Sequence, residues 1–351
     1  MSPDQLENPL RERLDPLGPS SPRGTPPRPD APPTSIAWFA SVSSTGTLGE
    51  QRSIAEEEQR EILRANQSAS TPVVFVHGLW LLPSSWDRWA DLFRRAGYAT
   101  LTPGWPYDLE SIEEAKAKHE VFTGKSIEQV AEHFEQIIGR LIKRPVIIGH
   151  SFGGLLTQIL AGRGLAAASV VISPARPRRV LPLFVSGAIT IDPTIPSKLV
   201  ALRPAPPELR TTATRHRAVP LKYDEFRRAF ANAVDEDQAK RLYEQFCVPA
   251  SSEEIFADDF FQPTEATNLD PRPAPEVHCT NPDRGPMLII AGGKDHTVPI
   301  AISRTEIKHE QANEGATKYI ELPDRDHALV IDDNWQEVAE TALKFVRRFV
   351  F

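Results

Sequence analysis

The sequence predicts an α/β fold: a mostly parallel, doubly wound sheet with a helical cap inserted into it. Three observations point there. PVVFVHG (72–78), PVIIGH (145–150) and PMLIIAGG (286–293) are short continuous apolar runs, as strands covered on both faces require. Amphipathic helical patterns separate such runs, and repeated strand–helix units close into a parallel sheet through right-handed crossovers. The alternation breaks from residue 175 to about 284 and then resumes; a gap of roughly 110 residues is too long for a loop within the sheet.

Taken in order, residues 1–34 read as a disordered tail, because PLGPSSPRGTPPRPDAPP (16–33) offers too few apolar groups to offset the entropy of ordering. SIAEEEQREILRAN (53–66) reads as a polar helix leading into the core. After the strand at 72–78, SSWDRWADLFRRAG sets Trp86, Trp89, Ala90 and Phe93 at helical spacing and stops at Gly97. YATLTP (98–103) is the second strand. In the next helix Ser126 and Gln129 form a capping box, and Val130, Phe134, Ile137, Ile138 and Leu141 share one face. The strand at 145–150 runs into the helix SFGGLLTQILAG, and ASVVISP (168–174) is the fourth strand.

Within 175–284 only short helical patterns occur, notably YDEFRRAFANAV and DEDQAKRLYEQF. A strand at 286–293, a helix near 299–313 and the strand TKYIELP (317–323) follow. A closing helix then buries Trp335, Val338, Ala339, Ala342, Phe345, Val346 and Phe349. The expected division is therefore a tail (1–34), a core (35–174 and 285–351) and a cap (175–284).

Composition narrows the function. A net charge of −7 with no basic stripe gives little reason to expect a nucleic-acid or anionic-membrane partner. Cys247 and Cys279 form no framework, and no Cys/His cluster suggests a metal. The N-terminus lacks the apolar segment of a secretory signal, and no run approaches a membrane span. A reduced, cytoplasmic protein is expected.

The chemistry centres on VIIGHSFGG (146–154), which holds a G-x-S-x-G string. Such a string arises by chance in roughly one chain in ten of this length. Here it lies between a strand and a helix, the context that gives it meaning. So sharp a bend strains the backbone, and Gly149 and Gly153 remove the side chains that would clash in it. Ser151 is thereby lifted above the carboxyl edge of the sheet, where the following helix directs its N–H groups and positive dipole end.

A serine needs a base, and the base an orienting acid. Asp295 follows the strand 286–293 and His327 follows 317–323, which gives the order Ser…Asp…His. Asp324, Asp326 and Asp332 compete as the acid but read as solvated loop. After VFVHG, the N–H of Leu79 can pair with that of Phe152 to hold an oxyanion. His77 reads as a structural histidine of that loop, His150 as packing beside the elbow, and His296 as a neighbour of the acid.

VFVHGLW, GHSFGG, GGKDHTVP and PDRDH together resemble the α/β-hydrolase superfamily over roughly residues 72–350. The likeness is greatest to its serine esterases, cofactor-free haloperoxidases and hydroxynitrile lyase-like members, whose first loop carries a serine–tryptophan pair, here Ser85 and Trp86. The resemblance implies an α/β-hydrolase fold and a Ser151–His327–Asp295 triad under a lid. It also implies an acyl-enzyme and no cofactor. The sequence departs from the family in two places: of its two N-terminal antiparallel strands TSIAWFASVS (34–43) is the only candidate for one, and the cap is proline-rich, so nothing about substrate carries over from the resemblance.

Serine at the elbow, rather than aspartate, fits acyl transfer. The leading reading is a hydrolase of a small-molecule carboxylic ester or thioester. Its rivals are C–C or C–CN cleavage or peracid formation on the same triad, and a small-molecule receptor that keeps the fold without turnover. Trp80, Trp86 and Phe184 are candidates for the substrate pocket, though each also suits the core. Phe260 and Phe261 are candidates for its mouth. RPRR (176–179) and ATRHRAVP (213–220) read as solvated arginines.

Overall fold

A computed structural model describes residues 54–106, 108–109, 111–117, 127–175, 218–219, 221–251 and 277–350. The tail, the 34–43 segment, Ser126 with its capping box, RPRR, most of ATRHRAVP, Phe184, Phe260 and Phe261 lie outside the described residues.

Helix α1 (Glu56–Gln67) leads to β1 (Pro72–Val76), α2 (Asp87–Arg95), β2 (Ala99–Leu101), α3 (Ile112–Ala117) and α4 (Ile127–Gly139). Next come β3 (Val146–His150), α5 (Phe152–Gly162) and β4 (Ala168–Ile172). The described part of the 175–284 stretch holds β5 (Ala218–Val219), α6 (Tyr223–Ala229), α7 (Glu236–Phe246) and β6 (Ala250–Ser251), with β5 and β6 paired antiparallel. The chain then closes with β7 (Met287–Gly292), α8 (Ile300–Glu310), β8 (Thr317–Leu322) and α9 (Trp335–Val346).

The main sheet has six strands in the order β2-β1-β3-β4-β7-β8, and every pairing is parallel. β1, β3, β4 and β7 are buried at every position, whereas the edge strands β2 and β8 are mostly half-buried. This is why the inner strands read as unbroken apolar runs. From β1 the chain steps outward to β2; from β3 it steps the other way to β4. The direction therefore reverses between β1 and β3, and a crevice opens outside their carboxyl ends at such a point.

One face of the sheet packs on α2 and α9. Phe75 of β1 meets Trp86, Trp89 and Phe93 at ring separations of 5.2, 6.5 and 5.6 Å. Trp89 also donates its indole N–H to the Val330 carbonyl, 2.9 Å away. The same cluster takes in Phe226, Phe230, Leu242 and Phe246 of the inserted segment, so the α6–α7 hairpin is rooted in the core of the sheet. On the other side, α5 is buried along its whole length, as expected of a helix apolar all round.

Two polar contacts fasten the periphery. Glu61 of α1 accepts from the N–H and hydroxyl of Thr102 just beyond β2, and burial pushes its carboxyl up to about 7. Where the chain returns from the insertion, the fully buried Arg284 donates to the fully buried Glu310 carboxylate and to Thr317 Oγ1. Such a pair is tolerated in the interior because both charges are matched and hydrogen-bonded.

Candidate active site

Ser151 stands between β3 and α5 with φ 57° and ψ −119°, a left-handed backbone that side chains rarely adopt. A residue held there costs about 1–3 kcal/mol, so its surroundings must impose it. Its N–H donates to Ile172 O at 2.9 Å, and its carbonyl accepts from Gly154 and Ala175, both at 2.9 Å. The glycines on either side are forced by close packing. A Cβ on Gly149 would lie 2.1 Å from Gly153 O, and one on Gly153 would lie 2.1 Å from Val76 O. No side chain fits at either position while α5 starts this close to β1 and β3.

Asp295 and His327 reach the serine from the loops after β7 and β8. His327 Nε2 lies 2.9 Å from Ser151 Oγ, and His327 Nδ1 lies 2.7 Å from Asp295 Oδ2. The second carboxylate oxygen of Asp295 accepts from the Val298 N–H at 2.7 Å, which fixes the plane of the acid. An aspartate at Nδ1 puts the ring proton there and leaves the Nε2 lone pair facing the hydroxyl. The imidazole and carboxylate are fully buried and Ser151 is nearly so, so little water competes for these bonds.

The loop after β1 runs against the nucleophile. A Cβ on Gly78 would lie 2.9 Å from Ser151 Cβ, which brings the Gly78–Leu79 peptide alongside the serine. His77 holds this peptide. Its Nδ1 donates to Gly78 O at 2.9 Å, its Nε2 meets Asp108 Oδ2 at 2.9 Å, and its ring stacks on Trp105. In a planar trans peptide the carbonyl and the next N–H point opposite ways, so fixing Gly78 O also fixes the Leu79 N–H. Phe152 opens α5 and is packed against Trp105 at a ring separation of 5.1 Å.

Of the aromatic pocket candidates, Trp86 is 1% exposed and sits in the core between Phe75 and Trp89. Trp80 is half-buried on the loop after β1 with φ 62°, and its carbonyl accepts from the Val248 N–H beyond α7. His150 packs on the ring of His327 at 4.6 Å, and burial first, then the neighbouring imidazole, holds its pKa well below the usual imidazole range.

The rival acids divide. Asp324 is exposed and pairs with Lys294, as a solvated loop residue would. Asp326 and Asp332, expected to be solvated, are buried instead. Asp326 accepts from the N–H groups of Ala233 and Ala328, and Asp332 takes both its oxygens to Arg325. These partners offset the desolvation that raises both carboxyls above their usual range. Sequence reasoning also passed over Trp105, Asp108 and Phe230. Only Phe230 left a signal: it lies four residues after Phe226 in an otherwise charged helix. Among the described residues no Asp/Glu/His/Cys cluster could hold a metal, and no helix is long and apolar enough to cross a membrane.

An imidazole with its proton on a carboxylate and its lone pair on a serine hydroxyl readies that hydroxyl for attack, and this defines the class as a serine hydrolase with a Ser–His–Asp triad. Residues 73–341 match the alpha/beta hydrolase family, and the chain belongs to it. No curated protein matches the chain in sequence. Solved structures share the fold at low identity. An extracellular alpha/beta-hydrolase from a Paenibacillus species has 18% identity and a TM-score of 0.54, covering 78% of this chain and 98% of its own. A monoacylglycerol lipase from Paleococcus ferrophilus has 17% identity and a TM-score of 0.51, covering 80% and 96%. A methylesterase from Arabidopsis has 16% identity and a TM-score of 0.50, covering 79% and 99%.

Proposed function

We propose that the protein hydrolyses a carboxylic ester or thioester of a small organic molecule through an acyl-enzyme, without a cofactor. The observation that carries this reading is the continuous chain Asp295–His327–Ser151, with links of 2.7 and 2.9 Å. As Ser151 Oγ attacks the carbonyl carbon, its proton passes to His327 Nε2 and the imidazolium is held by Asp295. The carbonyl oxygen becomes an oxyanion facing the N–H groups of Leu79 and Phe152. Collapse of this adduct breaks the bond to the alcohol or thiol, which leaves with the proton from His327. Water then attacks the acyl-serine, His327 takes its proton, and the carboxylic acid departs as Ser151 is reprotonated.

The lipase and the methylesterase named above are ester-cleaving enzymes by name; ester chemistry is assigned to this chain on the strength of its own triad. A reducing, cytoplasmic setting suits two cysteines that are both free thiols, and cell fractionation tests it.

A fluorophosphonate probe and a panel of p-nitrophenyl esters and acyl thioesters test the function. The wild type is expected to label and turn over. Ser151→Ala is expected to lose the label and about 10⁴-fold or more of kcat/KM. An unlabelled wild type, or turnover indifferent to the substitution, would sink the assignment.

A further inference from the structure

The α6–α7 hairpin and the residues just after it are tied to the loops after β1, β7 and β8. Val248 N–H donates to Trp80 O at 3.0 Å, on the loop after β1. On the acid loop, Asn232 donates to Lys294 O at 2.8 Å, while Thr297 Oγ1 and His296 Nδ1 donate to the carbonyls of Ala229 and Arg228 at 2.8 and 2.9 Å. These are carbonyls of the last turn of α6, which a helix cannot satisfy by itself. The acid loop therefore completes the end of the hairpin's first helix.

The closest ties are at the catalytic histidine. Asp326 takes the Ala233 N–H on Oδ2 at 2.5 Å and the Ala328 N–H on Oδ1 at 3.0 Å, so one carboxylate bridges the hairpin to the backbone on the far side of residue 327. Phe230 stands perpendicular to the His327 ring, with centroids 4.6 Å apart. Behind it Phe226 stacks at 5.2 Å, and Tyr243 of α7 packs on Phe226 at 5.5 Å. Phe226 and Phe230 are at most 1% exposed. The hydrogen bond to Asp295 fixes one ring atom of His327 but leaves the ring free to tilt about it. The aromatic column, together with the His150 ring packed on the same imidazole, removes that freedom.

We propose that Phe230 and Asp326 are positioning residues for the catalytic base, through which the α6–α7 hairpin braces His327 on the line from Asp295 to Ser151. The hairpin is then a fixed strut of the catalytic machinery and does not swing as a lid. The inference rests on the serine hydrolase reading. A displacement of about 1 Å in such a group costs on the order of 100-fold in rate, so a side chain that only holds the ring has a large kinetic effect.

Fluorophosphonate labelling of the wild type that is lost in Ser151→Ala first establishes the serine hydrolase reading on its own. With that in hand, Phe230→Ala and Asp326→Ala are expected to lower kcat on a short p-nitrophenyl ester by about 10–100-fold, with KM changed less than about threefold. Both are also expected to weaken the low-field proton resonance of His327 Nδ1–H. Phe230→Leu restores much of the rate. Arg241→Ala, which removes only an exposed ion pair between α7 and Asp333, leaves it unchanged. Should KM rise while kcat holds, or should Arg241→Ala fall equally, the positioning role is wrong. Hydrogen exchange on the wild type needs no variant: the Phe230 and Ala233 amides are expected to be as protected as those of β3 and β7. Rapid exchange there would show a hinged lid and overturn the proposal.

Discussion

His77 and His327 are both buried, both paired with an aspartate and both placed on loops at the carboxyl rim of the sheet, yet their remaining partners differ. His327 keeps Asp295 on Nδ1 and offers Nε2 to a hydroxyl. His77 keeps Asp108 on Nε2 and spends Nδ1 on the carbonyl of Gly78. A hydroxyl can surrender a proton and a carbonyl cannot. The first ring is a proton carrier; the second is a peg that sets the angle of one peptide. What the contrast teaches is that the third partner, more than the carboxylate, decides what a buried histidine does.

Substitutions can break this contrast, and the largest effect is expected at the triad. Asp295→Asn leaves the geometry in place but favours the wrong tautomer of His327, and kcat on p-nitrophenyl esters is expected to fall by about 10⁴-fold. A loss under tenfold would erase the distinction between the two pairs. His77→Ala frees the Gly78–Leu79 peptide to rotate, and if the Leu79 N–H serves the oxyanion as proposed, kcat is expected to fall by about 10²–10³-fold. If His77→Ala matched the triad variants instead, His77 would be taking part in proton transfer.

The smallest effect concerns a half-buried carboxylate with no imidazole at all. The Glu61 carboxyl is raised from 4.5 to about 7, chiefly by desolvation, so between those values the folded chain holds a proton that the unfolded chain has released. Its contribution to stability is present below the lower value and is lost as pH rises through the upper one. Glu61→Gln is expected to change little near pH 4 and to stabilise the fold near pH 8 by on the order of 1–2 kcal/mol, half-burial having reduced the full shift. Urea unfolding at both pH values reads this directly. An equal change at the two would mean that the carboxyl does not titrate in that range.

Legibility in the sequence followed the range of the forces involved. The elbow could be read because its constraint is local: glycines and a strand–helix junction within a few residues state the geometry. Asp295 and His327 could be read because each directly follows a strand, and parallel strands bring their ends to one rim. Asp326 was misread because one of its two partners is a backbone N–H 93 residues away. No spacing rule announces such a bond. Trp86 shows the complementary limit, since helical periodicity says that a side chain is covered without saying whether by core or by substrate. For Phe230 the pattern gave a buried face but not the imidazole it would meet.

The serine precedes its base by 176 residues. During synthesis the bend at Ser151 can form once β4 has paired with β3, because Ile172 and Ala175 hold its backbone, but Nε2 arrives only after β8 has found its register beside β7. A growing chain thus carries an unactivated alcohol through much of the second half of its synthesis, and reactivity switches on with the last strand of the sheet. A serine hydroxyl without its base is a poor nucleophile, so acylation of Ser151 waits on the closing of the sheet.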